Sequence, residues 1–79
     1  METRINAGAN ATFTPEQVTR KMLIENRHNV EGNIQYRIGV APVVTVQVKP
    51  NEPPIEINHP SSDLIIWNNL PNSIYCIYE

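Results

Sequence analysis

Residues 59–63 read His-Pro-Ser-Ser-Asp, which supplies the three residue types of a hydrolase triad. In such a triad His59 would take a proton from Ser61 or Ser62 while Asp63 oriented the imidazole. The spacing argues against it. Triad members come from separate elements so that each is held independently, and one short turn cannot also supply an oxyanion hole and a cleft. Ser and Asp beside a proline read more simply as a turn in which short side chains bond the local backbone.

Cys76 could imitate a cysteine nucleophile, but it sits inside the run Ile-Tyr-Cys-Ile-Tyr. A thiol among apolar neighbours is ordinarily inert packing. A metal would have to be held by His28, His59, Cys76 and a carboxylate, and no C-x-x-C or H-x3-H spacing joins them. Neither a G-x-G-x-x-G run nor a Walker loop is present. The expectation is therefore no catalytic residue, no metal and no cofactor, and a protein that is not an enzyme.

The 79 residues suffice for one small domain, which hides only about 60 % of the surface of its unfolded chain. Apolar residues make up 41 % and charged residues 18 %, too apolar for a disordered chain. A net charge of −2 gives no bulk attraction to nucleic acid or acidic membranes. The single cysteine cannot close an internal disulfide. Residues 1–13 carry no apolar run long enough for a signal peptide, so a reducing, cytoplasmic setting is expected.

The elements that would position these residues begin after a small, polar stretch, 1–12, expected as a flexible N-terminal arm. Thr14 then reads as a helix N-cap, with Pro15 in the first helical position. Gln17 completes a capping box, and Phe13 and Val18 form a hydrophobic staple. Glu16–Arg20 and Lys21–Glu25 have helical i, i+4 spacing. These signals predict a helix over about 15–28, ended near Gly32; a strand over "VTRKMLIE" is the alternative. On that helix Ile24 would stand apart from the face shared by Val18 and Met22, among charges, and so be a candidate contact residue.

From Ile34 onward the apolar period is two. Strands are predicted over about 34–40, 43–49, 54–58, 63–68 and 73–78. The first puts Ile34, Tyr36, Ile38 and Val40 on one face, and the second puts Val44, Val46 and Val48 together. Prolines bound the third, which therefore reads as a sheet edge. The fold class is α+β: one N-terminal helix followed by about five mostly antiparallel strands, as a single small α+β domain over 13–79. The alternative is an all-β small sandwich or barrel.

The last two runs, read as a hairpin, do not alternate apolar with polar. Leu64 and Ile66 oppose Ile65 and Trp67; Ile74, Cys76 and Tyr78 oppose Tyr75 and Ile77. One helix can cover one face of a small sheet, so the other face needs cover from elsewhere. It could curl onto other strands, lie under the N-terminal arm, or dock on another chain. The docking reading makes Ile65, Trp67, Tyr75 and Ile77 the anchors, since Trp and Tyr concentrate at interface hot spots. The expected function is a small non-enzymatic protein–protein interaction module, such as an inhibitor, accessory or assembly subunit. Its partner would be another protein or a second copy of itself in a homo-oligomer. A nucleic-acid-binding module using Arg20, Lys21 and Arg27 of the helix is the alternative, and a small hydrolase a more distant one.

Overall fold

The computed structural model describes residues 1–79 and contains eight strands and no helix. In chain order they are β1 (Glu2–Ile5), β2 (Asn10–Phe13), β3 (Lys21–Glu25), β4 (Gly32–Ile38), β5 (Val44–Val48), β6 (Ile55–Asn58), β7 (Leu64–Asn68) and β8 (Ile74–Tyr78). They form two four-stranded sheets, β1-β8-β3-β6 (sheet A) and β2-β7-β4-β5 (sheet B), with every pairing antiparallel. The α+β expectation is thus overturned, and the all-β sandwich holds.

The topology follows from folding the chain once about the β4–β5 turn. Gly32 faces Val48, Lys21 faces Asn58, Asn10 faces Trp67 and Glu2 faces Ile77, so partner numbers add to nearly the same total throughout. This long ribbon then rolls up, which adds a second neighbour to β8 (β3) and to β7 (β4). Only β4 and β5 are consecutive strands within one sheet; every other connection crosses between sheets. The result is the strand order of a jelly roll.

The predicted helix fails for a local reason. Its capping box does form: the Thr14 amide donates to Gln17 Oε1 (2.8 Å) and the Gln17 amide to Thr14 Oγ1 (3.3 Å). One turn satisfies those groups, and nothing in a cap obliges the chain to continue as helix. Beyond it Met22 and Ile24 bury on one face while Leu23 points outward, a period of two. As β3 this segment gains ladders to both β6 and β8, which a helix would forgo. Ile24 is therefore a core residue, 2 % exposed, rather than an exposed contact. The stretch read as an arm carries β1 and part of β2, which pair with β8 and β7.

The core lies between the sheets. Ile5, Met22, Ile24, Ile57, Ile74, Cys76 and Tyr78 come from sheet A, and Phe13, Ile34, Val48, Leu64 and Ile66 from sheet B. Phe13 and Tyr78 meet across the gap edge to face, with ring centroids 5.2 Å apart. The Tyr78 hydroxyl is satisfied by Thr3 Oγ1 at 2.8 Å. The fully buried polar residue Asn68 closes one end: its Nδ2 donates to the carbonyls of Ile5, Asn6 and Asn72, and its Oδ1 accepts from the Leu70 amide. At the opposite end the chain leaves the core. Gly39 turns at φ +58°, Val40 is 99 % exposed, and Val44 is exposed, so two positions expected inside lie in water.

Candidate surfaces for docking

The two final runs are not a hairpin. β7 lies in sheet B and β8 in sheet A, and residues 69–73 carry the chain across, with Leu70 buried beneath the crossing. Each is a central strand with neighbours on both sides. This accounts for the missing alternation: the inner residues pack in the core, and the outer ones are half covered by neighbouring side chains. The four expected anchors consequently separate. Ile65 and Trp67 face outward from sheet B, Tyr75 and Ile77 from sheet A, and no single patch contains all four.

On sheet A the outer face is charged, and around Tyr75 it is closed by the chain itself. Arg4 and Glu25 flank Tyr75 across the ladder, and Glu2 and Leu23 flank Ile77. Arg27 lies over the Tyr75 ring, 4.1 Å from its centroid, and His28 stacks beside it. The Arg27 guanidinium bridges Glu2 and Glu25 at the same time. The hydrogen bond to Glu2, then that to Glu25, holds Arg27 above its ordinary pKa. A shallow depression beside Ile77 and Leu23 is rimmed by Arg20, Lys21 and Glu79.

On sheet B the outer face is nearly free of charge. Trp67 pairs across the ladder with Asn10 and Gln35, and Ile65 with Thr12 and Arg37. Gln35 donates to Thr45 (3.3 Å) and accepts from Asn69 (3.1 Å), so the amides beside the indole form a short chain. No ring or cation covers Trp67, its indole N–H has no partner within the chain, and Arg37 has no carboxylate partner. The Arg37 Nε is shielded from solvent without a hydrogen bond.

The edges differ as well. β1 carries Glu2 and Arg4; β6 follows Pro53 and Pro54 and carries Glu56; β2 is short and runs into Thr14-Pro15. The proline-bounded strand is an edge, as its sequence suggests. β5, Val-Thr-Val-Gln-Val, is an edge with neither charge nor proline, and Val43 and Val44 at its start are exposed. Sequence reading missed this edge because the same valines resemble a buried strand; only the sheet order reveals the free side.

The residues considered for chemistry do not assemble. His59 Nδ1 lies 2.7 Å from the Val18 carbonyl and must donate to it, and no hydrogen bond joins His59 to Ser61, Ser62 or Asp63. Burial pushes the Cys76 thiol up to about 12, so little thiolate exists near neutrality. His28 and His59 lie at opposite ends of the sandwich, and no three His, Cys, Asp or Glu side chains come together. With the helix absent, Arg20, Lys21 and Arg27 form no common stripe; each pairs with a carboxylate, Glu79, Glu56, and Glu2 with Glu25. No helix is long and apolar enough to cross a membrane. The chain matches no protein-family model, no curated protein and no solved structure, so the geometry alone bears on function.

Proposed function

We propose that the protein is a small non-enzymatic interaction module that assembles with a second copy of itself through β5. The observation that carries this reading is the contrast among the four sheet edges. Three are blunted by charge, proline or shortness, the usual devices against unwanted pairing, whereas the five residues of β5 carry neither charge nor proline and only its end meets Lys49 and Pro50. Its unpaired N–H and C=O groups are a template for another strand. Antiparallel pairing of β5 with β5 of a second copy is self-complementary, as a two-fold interface requires. The exposed Val40, Val43 and Val44 would contribute apolar surface beside that seam. The compartment we propose is cytoplasmic, in keeping with a lone cysteine that is free and buried.

Sedimentation velocity tests the proposal. The wild-type protein should run as a dimer at ~10–100 μM, within the range of modest strand-addition interfaces. Thr45→Lys places a charge on the outward face of the free edge and should give a folded monomer. A wild-type protein that stays monomeric, or a dimer indifferent to Thr45→Lys, would exclude assembly through this edge.

A further inference from the structure

We propose that the outer face of sheet B is a binding site for a neutral glycan, with Trp67 as its stacking platform. The inference goes beyond strand-edge assembly and does not depend on it. A pyranose ring is amphipathic: its C–H face is apolar, and its hydroxyls both donate and accept hydrogen bonds. A matching surface needs an open aromatic plane ringed by groups that can do both, and amide side chains do so. Trp67, half-buried on this face, offers a partly exposed plane on which no ring or cation of the chain stacks, with an indole N–H that has no partner within the chain. Asn10 and Gln35 stand directly across the ladder on either side of it. Thr12 and Arg37 continue the same face past Ile65. Strand pairing spaces these groups about 4.8 Å apart across the sheet and roughly 6.8 Å along it, so an extended chain of sugars meets a regular row of partners.

The charges select among ligand classes. The ladder partners of Trp67 and Ile65 on this face are Asn10, Gln35, Thr12 and Arg37, none of them a carboxylate. One arginine is too little to hold a polyanion, which needs several phosphate or sulfate contacts. The centre of a protein interface is broad and apolar, whereas here one indole and one isoleucine stand among amides and hydroxyls. Arg37 supplies the second, independent sign. It has no carboxylate partner, and its Nε is hidden from water with no hydrogen bond, an unusual position for a donor. Its terminal guanidinium nitrogens, which are not shielded as Nε is and carry no hydrogen bond within the chain, can donate to the vicinal hydroxyls of a sugar.

Trp67 is the chain's single tryptophan, so its emission reports this site directly. The test titrates cellohexaose, xylohexaose, mannohexaose and laminarihexaose against intrinsic fluorescence, with heparin and a mixed oligonucleotide in parallel. At least one neutral hexasaccharide should shift the emission saturably, and the affinity should be unchanged between low and moderate salt. Gln35→Ala, an outward substitution, should weaken that binding at least ~10-fold while leaving the melting temperature near wild type. Trp67→Leu, followed by affinity electrophoresis, should abolish it. The proposal is overturned if no neutral glycan perturbs Trp67 at ~10 mM, or if binding survives both substitutions. It is equally overturned if only heparin or the oligonucleotide binds, with affinity falling steeply as salt rises.

Discussion

The outer faces of the two sheets are built on the same plan and end differently. Each is centred on a strand with two outward apolar residues, Tyr75 and Ile77 on sheet A, Ile65 and Trp67 on sheet B. On sheet A the aromatic ring is capped by Arg27, which is itself held between Glu2 and Glu25. The groups over the Tyr75 ring have found partners inside the chain, while Arg4 on its other side has no ion pair. On sheet B the half-buried indole has no ring or cation stacked on it, and the amides around it bond only partly to each other. An apolar residue on the outside of a central strand is therefore not itself a sign of docking; what matters is whether the chain has already satisfied its surroundings.

The comparison presupposes a rigid frame common to both faces, and Asn68 is where that frame is tied. Its two amide N–H groups are shared among three carbonyls and its Oδ1 accepts from the Leu70 amide, joining β7 to the β1–β2 turn and the β7–β8 crossing. Asn68→Ala should cost about 4 kcal/mol, since the amide's bonds vanish and the Leu70 N–H is left buried. Chemical denaturation should register this as a midpoint shift of comparable size whether Trp67 emission or far-UV circular dichroism is followed. A shift seen by one probe alone would mean that the sheets unfold separately, and the frame argument would fail.

The next largest effect separates the inner faces. At the middle of β8 stands Cys76, where the middle of β7 has Ile66. The thiol is raised from its ordinary 9.0 to about 12 by burial. Unfolding restores the ordinary value, so between these pH values the unfolded chain binds fewer protons than the folded one. Stability is thus fully present below pH 9 and falls as pH rises toward 12. By pH 11 the loss from this group should be about 2–3 kcal/mol, and Cys76→Val should remove that component from the pH dependence. The tyrosines contribute a slope of their own, so the quantity to measure is the difference between the two proteins. Identical curves would show that Cys76 ionises freely in the native state.

How much of this was legible follows from how far each signal reaches along the chain. Ile34, Ile57, Leu64, Ile66 and Ile74 announce their strands by local alternation or by apolar runs, and five strands are found near their expected positions. β1 and β2 are invisible because their four residues are mixed and polar; they are strands only because β8 and β7 lie beside them. The Thr14–Gln17 cap is a true local signal with a one-turn consequence, and it masks β3. The supposed hairpin is the most instructive error. Its short loop suggested adjacent strands, whereas in a rolled ribbon the near neighbour in sequence faces across the core and the distant one lies alongside. Both outward surfaces were therefore foreseen as residues, but not as two surfaces.

Arg27 offers the means to make sheet A resemble sheet B. Arg27→Ala removes the cap on Tyr75 and leaves Glu2 and Glu25 unpaired. The residue is well exposed, so the destabilisation should be modest, and the wild-type advantage should shrink as salt is raised. The sharper readout is local: the Tyr75 ring protons should lose the influence of the guanidinium and move in the NMR spectrum, while Trp67 indole signals stay in place. Movement of both would imply coupling through the core, contrary to two independent faces.

The smallest expected effect tests the premise that Ile65 and Ile77 are equivalent. Threonine keeps a β-branched side chain suited to a strand but replaces an ethyl group with a hydroxyl that an outer face can hydrate. Ile65→Thr and Ile77→Thr should each cost about 0.5–1 kcal/mol, because both positions are only half buried. Neither should alter the sedimentation coefficient if assembly runs through β5. Equal and small losses would assign both isoleucines to ordinary strand packing and leave the indole, on which no cation sits, as the feature that distinguishes the faces. Dissociation by Ile77→Thr alone would instead make sheet A the docking surface, and the ion pairs around Tyr75 would then be the rim of an interface rather than a cap.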